Sequence, residues 1–372
     1  MTKRVAWTDS RLILGVVAAL AVALAAYVLG TQKSIETPAF APQVMFPDLR
    51  DELDSVDRLS VRSKDGAFDI IKTAQGAWLI PQISNYPAAP GKVRAALLAL
   101  SDLQLVEPKT ARPGRYPALG LGAPADGGLG VDLGVWAGET ELAHVIIGKR
   151  QGVAKPGTPA LIYVRSPAAP QTWAARGRLD VGPLPINWID KSVLGIGRED
   201  IAAFDVRLPD GTAYRLARAK PDEADVMLLK PPKGRTPAPS YTLNATAFAA
   251  ADLLVDDVKP AGDVDFGPDA SVTRVVVTTF DGLAVKLSLV KQGQTYWMKG
   301  RAEAVTPPLK AEEKTPVPVP DDTAPAAAEQ AKHRVAALNQ TLAGWAYAIA
   351  KYKYDQMTKP LEALLAAKPK PE

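Results

Sequence analysis

A short pattern typical of a β-hairpin occurs three times along the chain and limits the folds that it can adopt. Residues 61–66 (VRSKDG) recur 145 positions later as residues 206–211 (VRLPDG), and residues 277–282 (VTTFDG) repeat the spacing. Residues 133–138 (LGVWAG) are a degenerate fourth copy. Apolar residues alternate on both sides of each pattern, and an Asp-Gly pair suits the two positive-φ positions of a type I′ turn. The chain is therefore predicted to contain duplicated antiparallel hairpins.

The segments between the hairpins show helical periodicity. Val93, Leu97 and Leu100 predict a helix over residues 92–103, and residues 245–255 are its counterpart in the second copy. Helices near residues 168–175 and 355–366 are predicted to close the other two units.

The predicted fold class is α+β, with an N-terminal transmembrane helix followed by two tandem similar halves. Each half consists of antiparallel β-hairpin and strand units covered by helices. The first half spans residues 44–194 and the second spans residues 195–367.

Two segments of low complexity interrupt the second half. Residues 231–240 (PPKGRTPAPS) and the longer stretch 301–332 are rich in Pro, and the longer one also contains much Ala, Glu and Lys. Both have too few apolar residues to pack against a core, so both are predicted to be disordered. Residues 368–372 form a polar tail.

An uncharged apolar run of 18 residues, 12–29 (LILGVVAALAVALAAYVL), lies near the N-terminus. As a helix it would rise about 27 Å, close to the roughly 30 Å hydrocarbon core of a bilayer. Three basic residues precede it, whereas only Lys33 follows before Arg50. This charge bias predicts a cytoplasmic N-terminus, residues 1–11, and a periplasmic bulk joined to the anchor by a tether, residues 30–43. The predicted location is the inner (cytoplasmic) membrane of a bacterium, with a single span.

A cleaved signal peptide is the alternative interpretation of this run. Its apolar part would be about 7–15 residues long and would end in a small-residue cleavage site. The first such site after the run, Ala39-Phe40-Ala41, is followed by Pro42, which disfavours cleavage. The sequence therefore favours an uncleaved anchor.

Composition excludes several classes of chemistry. The chain has no cysteine, which rules out disulfides, thiol catalysis and an acylated lipoprotein cysteine. A formal net charge of +4 is not the basic footprint of a nucleic-acid-binding protein, so no nucleic-acid partner is predicted. The 372 residues leave room for two domains of ordinary size after the anchor.

No motif in the sequence predicts a reaction. His144 lies in a strand pattern, on its expected solvent face, and His333 lies near the end of the stretch predicted to be disordered. They are far apart and lack the spacing of metal ligands, so no metal site is predicted. The glycine-rich residues 120–122 and 127–130 complete no phosphate-binding motif and are interpreted as a loop between the first helix and the next hairpin.

The acidic residues follow the same interpretation. One cluster lacks the pattern of a calcium loop and is interpreted as solvated turn acids. It consists of Asp252, Asp256, Asp257, Asp263, Asp265 and Asp269. The repeated Asp65, Asp210 and Asp281 are interpreted as turn formers. The chain is therefore predicted not to be an enzyme, with no catalytic, cofactor-binding or metal-binding residue.

Aromatic residues near the C-terminus suggest a binding surface. Most aromatic residues fall at strand ends or repeated positions, where core packing is the favoured explanation, although a groove for glycan is the alternative. Four residues stand out because they alternate with lysines in a short span, which is typical of a partner surface. They are Trp345, Tyr347, Tyr352 and Tyr354.

Several short segments carry a family resemblance. They are residues 45–49 (MFPDL), 76–78 (GAW), 85–88 (NYPA), 93–98 (VRAALL), 106–110 (VEPKT), Tyr116, 119–121 (LGL), 147–150 (IGKR), 163–165 (YVR), Trp173 and 188–191 (WIDK). On these segments the chain resembles a bacterial family described as domain of unknown function 4340, strongly in the first half and more loosely in the second. That family has no assigned catalytic residues. The resemblance implies an accessory protein encoded beside an ABC-type transporter of the gliding-motility kind, together with an auxiliary membrane component.

The expected function is that of a membrane-anchored periplasmic accessory protein. It would serve as an interaction subunit of an ABC-type transporter or of an envelope assembly, without a cofactor. The alternative is a module that binds envelope glycan or polymer through exposed aromatic rings. A carboxylate-based hydrolase is a third hypothesis, and it requires a pocket with facing carboxylates.

Overall fold

The computed structural model of the chain describes residues 18, 21–23, 40–151, 161–306 and 324–367. Its strands pair antiparallel in a 10-stranded and an 8-stranded sheet, which confirms the α+β class. The first sheet contains β1 (Gln43–Val44), β2 (Arg58–Ser63), β3 (Gly66–Lys72), β4 (Trp78–Ile80), β5 (Tyr86–Pro87), β6 (Gln104–Pro108), β7 (Val131–Ala137), β8 (Thr140–Gln151), β9 (Leu161–Arg165) and β10 (Thr172–Arg176). The second contains β11 (Ile201–Arg207), β12 (Ala213–Ala217), β13 (Met227–Leu229), β14 (Val255–Pro260), β15 (Thr273–Thr279), β16 (Leu283–Gln292), β17 (Thr295–Ala304) and β18 (Trp345–Ile349). The helices are α1 (Pro90–Ser101), α2 (Tyr116–Leu119), α3 (Ser240–Ala247), α4 (Ala324–Leu342) and α5 (Lys351–Met357).

The two sheets repeat one strand order. The first runs β1-β6-β10-β9-β8-β7-β2-β3-β4-β5, and the second runs β13-β12-β11-β15-β16-β17-β18-β14. When the second order is reversed, β14 corresponds to β6, β18 to β10, β11 to β2 and β13 to β4, with the remaining strands matched between them. Strands β1 and β5 are additions at the two edges of the first sheet. The repeated hairpin sequence therefore reflects two copies of one topology.

The repeated apolar positions form the core. Leu59 and Val61 on β2, and Phe204 and Val206 at the matching places on β11, are each at most 3% exposed. All four belong to one hydrophobic cluster that includes residues of both sheets. Burying such a side chain contributes about 1.5–3 kcal/mol, so the repeated positions are under strong physical constraint. Helix α1 packs its predicted apolar face into the same cluster.

The hairpin turns differ from the predicted type I′ geometry. None of Asp65, Asp210 and Asp281 has a positive φ, whereas Gly211 does, at 87°. The Gly211 N–H donates to the Leu208 carbonyl at 3.0 Å, as in a three-residue loop that places glycine at the left-handed position. Asp210 still shapes its turn, because its carboxylate accepts the Thr212 N–H at 2.8 Å.

Three of the predicted helices need correction. Residues 168–175 do not form a helix, because β10 pairs there with both β6 and β9. The predicted helix 245–255 is too late in the chain, since α3 begins after Pro239 and the positive φ of Asp252, 48°, turns the chain into β14. Over residues 355–366, α5 ends at Met357 and a 3₁₀ turn follows at Leu361–Leu364.

The disorder predicted for residues 231–240 is also wrong. The Ala238 N–H donates to the Leu364 carbonyl and the Ala366 N–H donates to the Thr236 carbonyl, both at 2.8 Å. These bonds fix the proline-rich segment against the C-terminal 3₁₀ turn, which a composition argument does not anticipate.

The predicted disorder of residues 301–332 fails at both ends. Strand β17 continues to Ala304, and α4 spans Ala324–Leu342 and buries Leu338 and Leu342 in the hydrophobic core. Residues 307–323, like the predicted tail 368–372, lie outside the described residues.

The predicted N-terminal anchor can be compared with the structure only in part. Residues 1–11, most of 12–29 and residues 30–39 lie outside the described residues. Within the part that is described, no helix combines the length and the apolar character needed to cross a membrane. The end of the predicted tether belongs to the first sheet, since Gln43 and Val44 form β1 beside β6.

Candidate functional site

A groove of about 600 Å³ lies between α3 and α5 in the second half, and we call it the α3–α5 groove. Its lining includes the small side chains of Ala245 and Ala249 and the ring of Phe248. Phe248 and Ala249 are buried at 8% and 4% exposure, so they form an apolar floor. An open groove with an apolar floor is a geometry that suits a ligand or a partner side chain.

Two tyrosines stand exposed on this groove. Tyr241 of α3 is 74% exposed and Tyr352 of α5 is 65% exposed, and both line it. A tyrosine offers a large rigid contact area with a polar tip, which explains its enrichment at interfaces. The two rings therefore provide apolar area that a partner could cover.

Two cationic side chains also line the groove. The Arg198 guanidinium lies 4.4 Å from the centroid of the Phe248 ring, and it donates one hydrogen bond to the Ala224 carbonyl at 3.3 Å. The Lys353 ammonium donates to the Ala251 carbonyl at 2.8 Å. Burial lowers the pKa of Lys353, and the nearby Asp252 carboxylate opposes this shift.

The amide side chains of the groove are less accessible. The Asn244 amide donates to Asp225 at 2.6 Å, and its oxygen accepts the Val226 N–H at 3.0 Å. The Gln356 amide oxygen is buried and has no hydrogen-bond partner among the described residues. Neither amide therefore presents a free, exposed acceptor to a ligand.

The four residues of the predicted partner surface do not share one surface. Tyr352 lines the α3–α5 groove, whereas Tyr347 is fully buried. Tyr354 packs on Tyr296 with ring centroids 4.7 Å apart. Trp345 lines a separate cleft of about 470 Å³ between the two halves and meets the Tyr86 ring edge-on at 4.8 Å. The separation follows from the change from strand β18 to helix α5 after Ile349.

Tyr347 joins the two halves from inside. Its hydroxyl donates to the Thr341 carbonyl at 2.5 Å and lies 3.3 Å from the Tyr86 hydroxyl of the first sheet. Since Tyr347 donates to Thr341, Tyr86 acts as donor in the pair. Burial is the main cause that raises the pKa of both phenols. This pair is a structural contact rather than a surface for a partner.

His144 lies on the outer face of the first sheet between two acidic side chains. Its Nε2 lies 2.7 Å from the Asp132 carboxylate and its Nδ1 lies 2.7 Å from the Glu141 carboxylate. The hydrogen bond to Asp132 is the largest cause that raises the pKa of His144. The imidazole lies on the solvent face of its strand, as predicted, and it is half-buried between two acids that the sequence did not indicate.

These three side chains do not form a metal site. The carboxylates approach opposite nitrogens of one ring, so a single ion cannot bind all three groups. No group of three or more His, Asp or Glu residues suited to a metal ion occurs in the described parts of the chain.

The glycine-rich loop is explained by close packing. A Cβ atom on Gly128 would lie 2.1 Å from the carbonyl carbon of Gly122, and one on Gly130 would lie 2.6 Å from the Ile146 side chain. Glycine is required where two backbones approach this closely. The interpretation of residues 120–130 as a linking loop agrees with this geometry.

Sequence reasoning missed three residues of the groove. Arg198 lies in a short connection before β11, and Tyr241 lies on α3 ahead of the helix predicted over residues 245–255. Phe248 falls within that predicted range, but α3 ends directly before it. No local sequence pattern indicates these residues, because Arg198 and Tyr352 are brought to one groove by the strand order of the second sheet. The one available hint was a tyrosine directly after the proline-rich segment.

Comparison with known proteins identifies a family. The family model described as Domain of unknown function (DUF4340) matches residues 78–267, just over half of the 372 residues. This match confirms the resemblance found in the sequence. No curated protein and no solved structure matches the chain. The matched range includes α3 and Arg198, whereas Tyr352 and Lys353 lie beyond it.

Proposed function

The chain belongs to the family of the domain of unknown function DUF4340, and from that premise and the groove geometry we propose that it is an accessory protein that binds a protein partner. Residues 12–29 hold it at the inner membrane and place its two halves on the periplasmic side. The partner is a component of an ABC-type transporter assembly in the same membrane. The protein acts by docking and not by catalysis.

The observation that supports this proposal is the exposure of Tyr241 and Tyr352 on one groove. Single exposed apolar residues are common, but two large aromatic rings beside an apolar floor mark an interaction site. Binding hot spots are enriched in Trp, Tyr and Arg, and the groove combines its two tyrosines with Arg198.

Site-specific photo-cross-linking of the full chain in its native membranes tests the proposal. A photoreactive phenylalanine analogue at Tyr241 is expected to form an adduct that contains an integral transporter component. The matched control carries the analogue at Leu129, which is 62% exposed, belongs to the first half and does not line the groove. Equal adducts at Tyr241 and Leu129 would refute docking in the groove. The absence of any adduct when the analogue is placed at Tyr241 or at Tyr352 would refute it as well.

A glycan-binding module is the second candidate function, and the same exposed rings favour it. Aromatic faces on an open groove provide stacking platforms for sugar rings. Sedimentation of the full chain with purified peptidoglycan distinguishes the two candidates. If the glycan hypothesis is correct, the chain pellets with peptidoglycan and a Tyr241→Ser/Tyr352→Ser variant stays in the supernatant. Equal sedimentation of both proteins would remove it.

A further inference from the structure

The α3–α5 groove concentrates positive charge that lacks a close counter-ion. Arg198 and Arg218 approach the Phe248 ring from 4.4 and 5.4 Å, and Lys353 lines the same groove. Within the described residues, no carboxylate oxygen of Asp or Glu lies within 4.0 Å of the charged nitrogens of these three side chains. The carboxylates of Glu199, Asp200 and Glu223 act on Arg218 from farther away, and that of Asp252 acts in the same way on Lys353.

The two accessible cations still have free donors. Arg198 uses one hydrogen bond to the Ala224 carbonyl, so most of its guanidinium remains available. Lys353 likewise donates one hydrogen bond, to Ala251. The groove lining contains no acidic residue. A ligand that brings a carboxylate would therefore form charge-assisted bonds and meet no acidic residue of the lining.

We propose that the α3–α5 groove binds an acidic segment of a partner protein. A carboxylate side chain of that segment sits between Arg198 and Lys353, and a neighbouring apolar or aromatic side chain sits between Tyr241 and Tyr352. This inference rests on the proposed docking function and specifies the chemistry of the partner.

The lining favours a protein segment over an acidic glycan. A sugar ring needs many hydrogen-bonding partners for its hydroxyls, but Asn244 is committed to Asp225 and Val226 and the Gln356 oxygen is buried. The floor made by Phe248 is apolar and suits an apolar side chain instead. Charge at two points together with an apolar floor matches a peptide that alternates acidic and apolar residues.

Binding of defined polymers to the detergent-solubilised full chain tests the proposal. The probe is a fluorescent random copolymer of Glu and Tyr, and the comparison probes are a Lys-Tyr copolymer and polygalacturonate. We expect the Glu-Tyr copolymer to bind in a salt-sensitive manner and the Lys-Tyr copolymer not to bind. The Arg198→Glu/Lys353→Glu variant is expected to lower the affinity about tenfold or more.

The control variant carries the same change of charge elsewhere. Arg94 and Arg207 are exposed arginines outside the groove lining, and Arg94→Glu/Arg207→Glu is expected to change the affinity less than about twofold. Equal weakening by both variants would show a non-specific charge effect and overturn the proposal. An Arg198→Gln variant keeps most of the stem over Phe248 and loses the charge, so a loss of binding with an unchanged circular dichroism spectrum reports the charge and not unfolding.

Three outcomes distinguish failure of this inference from failure of the docking function. If polygalacturonate binds as well as the Glu-Tyr copolymer with the same dependence on Arg198 and Lys353, the choice of a protein segment is wrong. If the cross-link from Tyr241 persists in the Arg198→Glu/Lys353→Glu variant, the groove still docks its partner and only the acidic chemistry is refuted. If charge-dependent copolymer binding occurs without any cross-link in membranes, the docking function fails while the preference of the groove stands.

Discussion

Arg218 offers the sharpest prediction on stability, because all its donors are used inside the protein. The side chain is 7% exposed and lies at the end of β12. Its guanidinium has five N–H groups, and each donates to a different backbone carbonyl at 2.7–3.1 Å. The acceptors are the carbonyls of Arg198, Glu199, Ile201, Pro221 and Glu223. One side chain thus ties the start of β11 to the loop 218–226.

The expected effect of Arg218→Met follows from these bonds. A hydrogen bond from a charged donor contributes about 1.5–3 kcal/mol, so five would sum to roughly 8–15 kcal/mol. That sum equals the whole stability of an ordinary domain, about 5–15 kcal/mol, and therefore overstates the loss. Several of the carbonyls are only partly buried and regain water, and methionine keeps part of the packing on Phe248 and Phe280. We expect a loss of about 3–5 kcal/mol in the free energy of unfolding.

Urea unfolding of the full chain in detergent measures this loss, with tryptophan fluorescence and circular dichroism as two probes. Arg215→Met is the matched control, because Arg215 lies on β12 three residues before Arg218, is exposed and makes one contact to Asp205 at 3.4 Å. Its expected loss is below about 0.5 kcal/mol. Arg218→Lys keeps the charge without the five-donor fork and should fall between the two. A loss below about 1 kcal/mol for Arg218→Met would contradict the reasoning, since a buried guanidinium with five partners is a network of the kind that causes large effects.

Three further perturbations have defined outcomes. The folded-state pKa of His144 is raised, so the charged imidazole contributes about 1 kcal/mol of stability that is fully present below the unfolded pKa near 6.5. This contribution disappears as pH rises through the folded pKa. In urea titrations, His144→Gln should therefore be less stable than the parent at pH about 5.5 and equally stable at pH about 9. Gly128→Ala should destabilise by about 1–3 kcal/mol in the same assay, because its Cβ would meet Gly122, whereas Gly91→Ala in α1 meets no atom within 4 Å and should be neutral or stabilising. Tyr347→Phe removes the donor to Thr341 and the acceptor of Tyr86, and thermal unfolding should show a loss of about 1–2 kcal/mol.

Local pattern predicted the sheets because each hairpin is a local structure. Residues 61–66 and 206–211 bring their own strands together, and the alternation that buries Val61 and Val206 is visible in the sequence. Helix α1 was predicted within two residues at each end because its apolar spacing is regular. The helix prediction for residues 168–175 was wrong because pairing with β6 and β9 outweighs the helix propensity of these alanine-rich residues.

The contacts of single side chains were harder to predict from sequence. Glu141 and His144 are three residues apart on a strand, which normally places them on opposite faces. A shift of register between Val135 and Trp136 adds a residue to β8 and brings both side chains to one face. Such a bulge has no signature in the amino-acid sequence, so the position of His144 between two acids was not predictable. The α3–α5 groove likewise depends on strand order, which no local pattern encodes.

The first half contains a counterpart of the groove, and the comparison shows that the fold does not require exposed rings there. Helix α1 follows β4 and β5 as α3 follows β13, and the chain after β10 occupies the place of α5 after β18. A cavity of about 460 Å³ lies between these elements. There, however, Trp188 is 2% exposed and its ring N–H donates to the Gly182 carbonyl, while Lys92 donates to the carbonyls of Asn187 and Ile189. In the first copy the chain thus satisfies Trp188 and Lys92 internally, and the exposed cation of that cavity is Arg178. In the second copy it leaves Tyr241 and Tyr352 uncovered, which is the difference expected if one copy serves the fold and the other serves a partner.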